Sequence, residues 1–134
     1  MIKRNIKVPI YEWKCRVLVI ESYDEADLAV KELKSLGVDK ESIDNVRDTL
    51  ELGGLNGGMF LSSKKGKSAA IVVLPSSSIS ESVNTLAHEC RHFVDEILRM
   101  SGIEDMESSA YISGYVYENA FDVFDIKLKT KKEE

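Results

Sequence analysis

The chain has 134 residues, 43% of them apolar and 31% charged, and a net charge of −5. That is room for one domain with a real core, in a composition typical of soluble globular proteins. The acidic balance, with a pI near 5.2, argues against a nucleic-acid footprint, and no stretch approaches membrane-spanning length. No secretory signal is read at the N-terminus. The two cysteines, Cys15 and Cys90, make no C-x-x-C, so a cytoplasmic protein with reduced thiols is expected. Short basic clusters at Lys3 and Arg4, 64–67 and 127–132 read as solvated surface.

Residues 7–21, VPIYEWKCRVLVIES, alternate and then run apolar with β-branched types. This predicts a strand, its frayed start marked by Pro9. Ser22 and Glu25 form a capping box, and Ala26, Ala29, Val30, Leu33 and Leu36 recur at helical spacing until Gly37 ends the helix. A second helix is expected over about Lys40 to Leu52, with Ile43, Val46 and Leu50 on one face and a stop at Gly53-Gly54. The run GGLNGG at 53–58 lacks the Lys-Ser/Thr ending and the helix of a phosphate loop, and reads as a flexible turn. Two short strands, Met59 to Ser63 and Ser68 to Leu74, flank the KKGK connection, and Pro75 with three serines ends the sheet.

A further capping box, Ser78 with Glu81, opens a long helix to about Met100, stopped by Ser101-Gly102. Glu104 and Asp105 then open a last helix over roughly 105–125, and the KLKTKKEE tail is expected to fray. Together these elements predict an α+β fold, a short mixed sheet packed on helices. It fills a single domain over 1–134, with 127–134 as the frayed tail.

The long helix carries His88-Glu89-Cys90-Arg91-His92, an H-E-x-x-H pattern that uses both histidines of the chain. Imidazoles four residues apart lie on one helical face and can reach one metal ion, and the intervening Glu can polarise a water held by it. Random shuffling of this composition produces the pattern about once in 700 trials. The bland alternative is an amphipathic helix with two surface histidines. At about 100° per residue, His88, His92 and Glu89 fall on the side away from Val83, Leu86, Cys90, Phe93, Val94, Ile97 and Leu98. Cys90 points into that apolar stripe, so it is expected to be a buried hydrophobe rather than a ligand.

Catalytic zinc usually takes three protein ligands and keeps a position for water. The third is sought among Asp95, Glu96, Glu104, Asp105, Glu107 and Glu118. Glu107 fits best, because Glu107, Tyr111, Gly114 and Glu118 share one stripe of the last helix that is expected to turn toward the motif helix. Its ordinary alternative is an acid at a helix N-terminus. Glu118 is then a supporting acid, and Tyr111 or Tyr115 either donates to an oxyanion or packs.

The segment 85–115, TLAHECRHFVDEILRMSGIEDMESSAYISGY, resembles the C-terminal half of small bacteriophage-encoded zincin-like metallopeptidases. Their pattern is T-[IL]-A-H-E-x-x-H, then D-E-x-x-A-Y-[LI]-x-G-[WY]. The resemblance implies a zincin-like domain of minimal gluzincin type, with His88, His92 and Glu107 on zinc and Glu89 as general base. The start at Val8 to Tyr11 is similar as well, though only weakly. Met106 stands where an acid commonly precedes the family's glutamate.

The expected function is therefore a zinc-dependent peptidase, cleaving a peptide bond with a metal-held water and with Glu89 as general base. An extended peptide or protein substrate is expected to pair with the Met59 to Ser63 strand. No nucleic-acid or membrane partner is expected, and for a phage protein the location is the host cytoplasm. The alternative is a non-catalytic, metal-stabilised phage accessory or structural protein that binds a host or virion partner. A third option is hydrolysis of a non-peptide amide.

Overall fold

A computed structural model describes residues 1–126, and the expected fraying of 127–134 lies outside them. The fold is α+β. Strands β1 (Ile2–Val8) and β2 (Trp13–Val19) form a hairpin. A 3-10 turn at Tyr23–Glu25 leads into α1 (Ala26–Ser35) and α2 (Lys40–Glu51). Strands β3 (Gly58–Ser62) and β4 (Ser68–Val73) follow, then α3 (Ile79–Ser101) and α4 (Met106–Ala120), with one more helical stretch at 122–126.

The four strands lie in the order β1-β2-β4-β3. The β1–β2 and β3–β4 pairs are antiparallel and the central β2–β4 pair is parallel. Strand β4 is apolar on both sides, as a central strand covered on two faces must be. Ala69, Ile71 and Val73 pack with Cys15, Val17 and Val19 of β2 against α3 and α4. Ala70, Val72 and Leu74 pack with Leu18 and Ile20 against α1 and α2. The result is a mixed sheet between two helical layers, with β3 left as an edge strand.

Local signals set the helix starts. The Asp39 carboxylate accepts from Ser42 N–H at 2.8 Å, Ser78 Oγ from Glu81 N–H at 3.2 Å and the Asp105 carboxylate from Ser108 N–H at 2.8 Å. Each satisfies an N–H that the first helical turn leaves without a partner. Gly102 closes α3 in the left-handed conformation, at φ 66°, where a Cβ would be strained.

The single strand expected over 7–21 is instead a hairpin. Pro9 sits in its turn, where Glu12 N–H reaches Pro9 O at 3.3 Å and Glu12 adopts φ 57°. Residues 2–8 place Ile2, Ile6 and Val8 at a period of two, interrupted by Arg4, and Ile6 and Val8 are buried. Lys3 and Lys7 are on the exposed side of the strand, whereas Arg4 shares the face of Ile6 and Val8 and reaches Asn119 and Asp122. The last helix is also shorter than expected, because a turn at Phe121 separates α4 from 122–126. Among the described residues no helix is long and apolar enough to cross a membrane.

Candidate metal centre

Helix α3 buries Leu86, Cys90, Phe93, Val94 and Ile97, and this choice of core face leaves His88 and His92 exposed one turn apart. Their Nε2 atoms are 3.2 Å from each other, and the rings stand nearly perpendicular, at 80°. Two nitrogens bound tetrahedrally to one zinc at about 2.0–2.1 Å are separated by roughly 3.3 Å. The pair therefore has the bite of a zinc ion. The same distance also suits one N–H···N hydrogen bond between neutral imidazoles, in which one ring donates.

Phe60 of β3 lies beside the pair, its ring 6.4 Å from that of His92 and inclined by 28°. It also packs on Phe93 at 6.3 Å, so the edge strand braces the histidine-bearing helix from one side.

Glu89 is 7% exposed although it is charged. Burial pushes its carboxyl up from the ordinary range, while the neighbouring His92 and His88 pull it down. A carboxylate held in this balance is a stronger base than one in water. Thr85 and Ser82, one and two turns earlier, are buried with it.

Close passage of β3 produces that burial. A Cβ at Gly58 would come within 2.7 Å of Thr85 Cγ2, 2.8 Å of the Val72 carbonyl oxygen and 3.2 Å of Glu89 Cγ. The glycine run read from sequence as a flexible turn thus ends in a residue whose missing side chain lets the edge strand lie on the motif helix. Gly58→Ala is expected to destabilise the protein by about 1–3 kcal/mol. Gly57→Ala, whose Cβ would meet only Leu74 Cδ1 at 3.5 Å and Leu55 O at 3.9 Å, should be tolerated. Urea unfolding of both variants checks the contrast, and equal midpoints would count against the close contact.

Helix α4 presents a different face from the one expected. Its buried residues are Ile112, Val116 and Ala120, and the rotation that buries them turns Glu107, Tyr111, Gly114 and Glu118 to solvent. Tyr111 is 67% exposed, and a Cβ at Gly114 would meet nothing within 4 Å. The hydroxyl of Tyr115 donates to Lys7 O at 2.9 Å, fastening α4 to β1. Among the described residues, no group of three or more His, Cys, Asp or Glu is arranged to hold a metal ion. The structure thus sets His88 and His92 against each other with the buried Glu89 beside them, and places Glu107, Tyr111 and Glu118 on the exposed side of α4.

Cys90 lies in the core, where burial pushes its thiol up to about 12, and this suits a small apolar filler. Phe60 and Gly58 are the neighbours that sequence reasoning missed. The signal for Gly58 was its place at the head of the apolar run Met59, Phe60 and Leu61. No known family model, curated protein or solved structure matches the chain.

Proposed function

We propose that the protein is a zinc-dependent hydrolase of amide bonds, most simply a peptidase. The observation that carries this reading is the zinc-like separation of the His88 and His92 nitrogens beside the buried carboxylate of Glu89. His88 and His92 would hold the metal. Glu107 is the proposed third protein ligand on the resemblance of 85–115 to phage zincin-like metallopeptidases. Bound zinc supplies Lewis-acid activation of a water and of the scissile carbonyl.

The chain's own residues do the rest. Glu89 takes the proton of the attacking water and hands it to the leaving amine, a task suited to a carboxyl whose pKa is raised. Phe60 lies alongside the His92 ring. The free edge of β3 offers unpaired backbone groups to which an extended peptide could add as a further strand.

A second reading, a metal-stabilised accessory protein without catalysis, is favoured by the outward stripe of α4. Elemental analysis of protein purified without an affinity tag, compared with His92→Ala and Glu107→Ala, tests the site. About one zinc per chain, lost on replacing His92, is expected. Loss on replacing Glu107 identifies the third ligand, whereas retention moves that role to another donor. Wild-type protein that neither contains nor takes up zinc overturns the proposal.

A further inference from the structure

On the face of the sheet opposite α3 and α4, the β1–β2 hairpin carries two lysines, Lys7 and Lys14, with no ion pair to a carboxylate among the described residues. Lys7 and Lys14 are direct partners in the antiparallel register. Like charges placed opposite each other repel. Because side chains alternate along a strand, both project from the side that bears Arg16 and Leu18, beyond the part of the sheet that α1 and α2 cover.

Two adjoining hollows of about 260 and 510 Å³ open there, and Lys14, Arg16, Leu36 and Ser68 line both. Lys7 borders the first and Lys65 with Lys67 the second. The far wall is fixed to the body of the protein. Lys64 N–H donates to Gly37 O at 3.2 Å, and Ser63 Oγ donates to Leu36 O. The stem of Lys65 lies against Gly37, where a Cβ would come within 2.8 Å of Lys65 Cγ.

Arg16 is paired with Glu32 at 2.8 Å. Among the described residues no carboxylate forms an ion pair with Lys7, Lys14, Lys65 or Lys67. Glu12 is the acid on that wall. In a chain of net charge −5, four lysines without an ion pair among the described residues gather positive charge around one concavity.

We propose that this groove binds an acidic segment of a partner protein, with carboxylates placed between Lys7 and Lys14 and along Lys65 and Lys67. Leu36 gives the groove an apolar floor, and Ser35 and Ser68 offer hydroxyls beside it. No aromatic side chain lines either hollow, so the stacking platform used by single-stranded nucleic acid is missing. The acidic remainder of the surface also opposes a long polyanion. A short acidic peptide needs only the local cations. The site does not depend on the metal reading, since it lies across the sheet from His88 and His92.

The test uses a fluorescein-labelled octaglutamate peptide, an octathymidylate of the same label and fluorescence anisotropy at low and high salt. Saturable binding of the peptide is expected, weakened by salt as exposed charges are screened. The fourfold variant Lys7→Gln, Lys14→Gln, Lys65→Gln, Lys67→Gln should bind at least about tenfold more weakly. All four side chains are exposed, so this variant is expected to fold, which far-UV circular dichroism checks. Lys7→Gln alone should melt at a higher temperature than wild type, because it removes one of two facing charges. Absence of peptide binding, equal binding by the fourfold variant or tighter binding of octathymidylate each overturns the proposal.

Discussion

Glu89→Gln is expected to keep its zinc and to lose hydrolysis by about 10²- to 10⁴-fold, the usual contribution of a positioned general base. The amide keeps the size of the side chain and removes the basic oxygen. Turnover of a quenched-fluorescent peptide library, measured beside metal content, reads both quantities on one preparation. Equal turnover by wild type and variant at equal zinc would sink the catalytic role of Glu89.

The same substitution has a second, independent signature in metal-free protein. Burial raises the Glu89 carboxyl above its ordinary value of 4.5. In the unfolded chain it ionises at the ordinary value, whereas in the folded chain it ionises later. Folding is therefore unpenalised below the unfolded value and loses stability as pH rises through the raised one. Glu89→Gln should consequently melt above wild type at pH 7 and coincide with it at pH 4. A variant that melts lower at neutral pH would contradict the burial argument.

Phe93→Ala is expected to cost about 3–5 kcal/mol, because the ring is wholly buried and its removal leaves a cavity. The ring is 0% exposed and packs edge-on against Trp13 at 6.1 Å. On its other side is Phe60, whose ring in turn borders His92. Chemical denaturation measures the cost, and the loss should be smaller for Phe93→Leu, which refills part of the space. A cost below about 1 kcal/mol would show that the neighbours collapse into the gap. Since the cavity would loosen Phe60, zinc affinity should fall as well, although no ligand is altered.

The features legible in the sequence were those set within a few residues. Ser78 and Gly102 mark helix ends because capping is a contact between near neighbours. The outward placement of His88 and His92 followed from the apolar period of α3, which has enough large residues to fix its rotation. Helix α4 offers a weaker guide. It has few large aliphatic residues, and the stripe chosen for Glu107 competed with one built on Ile112, Val116 and Ala120. Burial of apolar surface decided between them. The approach of Gly58 to Thr85 and Glu89 joins segments about 30 residues apart, and no local pattern encodes it. The first strand was hidden by its cations, which read as plain surface until their pairing partners in β2 were known.

The two histidines and the acid between them depend on different parts of the folding reaction. The nitrogen pair is closed by α3 alone, so a helix of those residues carries it in any state where that helix exists. The shielding of Glu89 requires β3 to have found β4, and β4 in turn to have docked beside β2 across more than 50 residues of chain. Long-range strand pairing of this kind is the slow part of folding. A nascent or partly unfolded chain can thus hold the two imidazoles together before it has assembled the strand that shields the carboxylate and raises its basicity, so the two halves of the motif mature at different stages of folding.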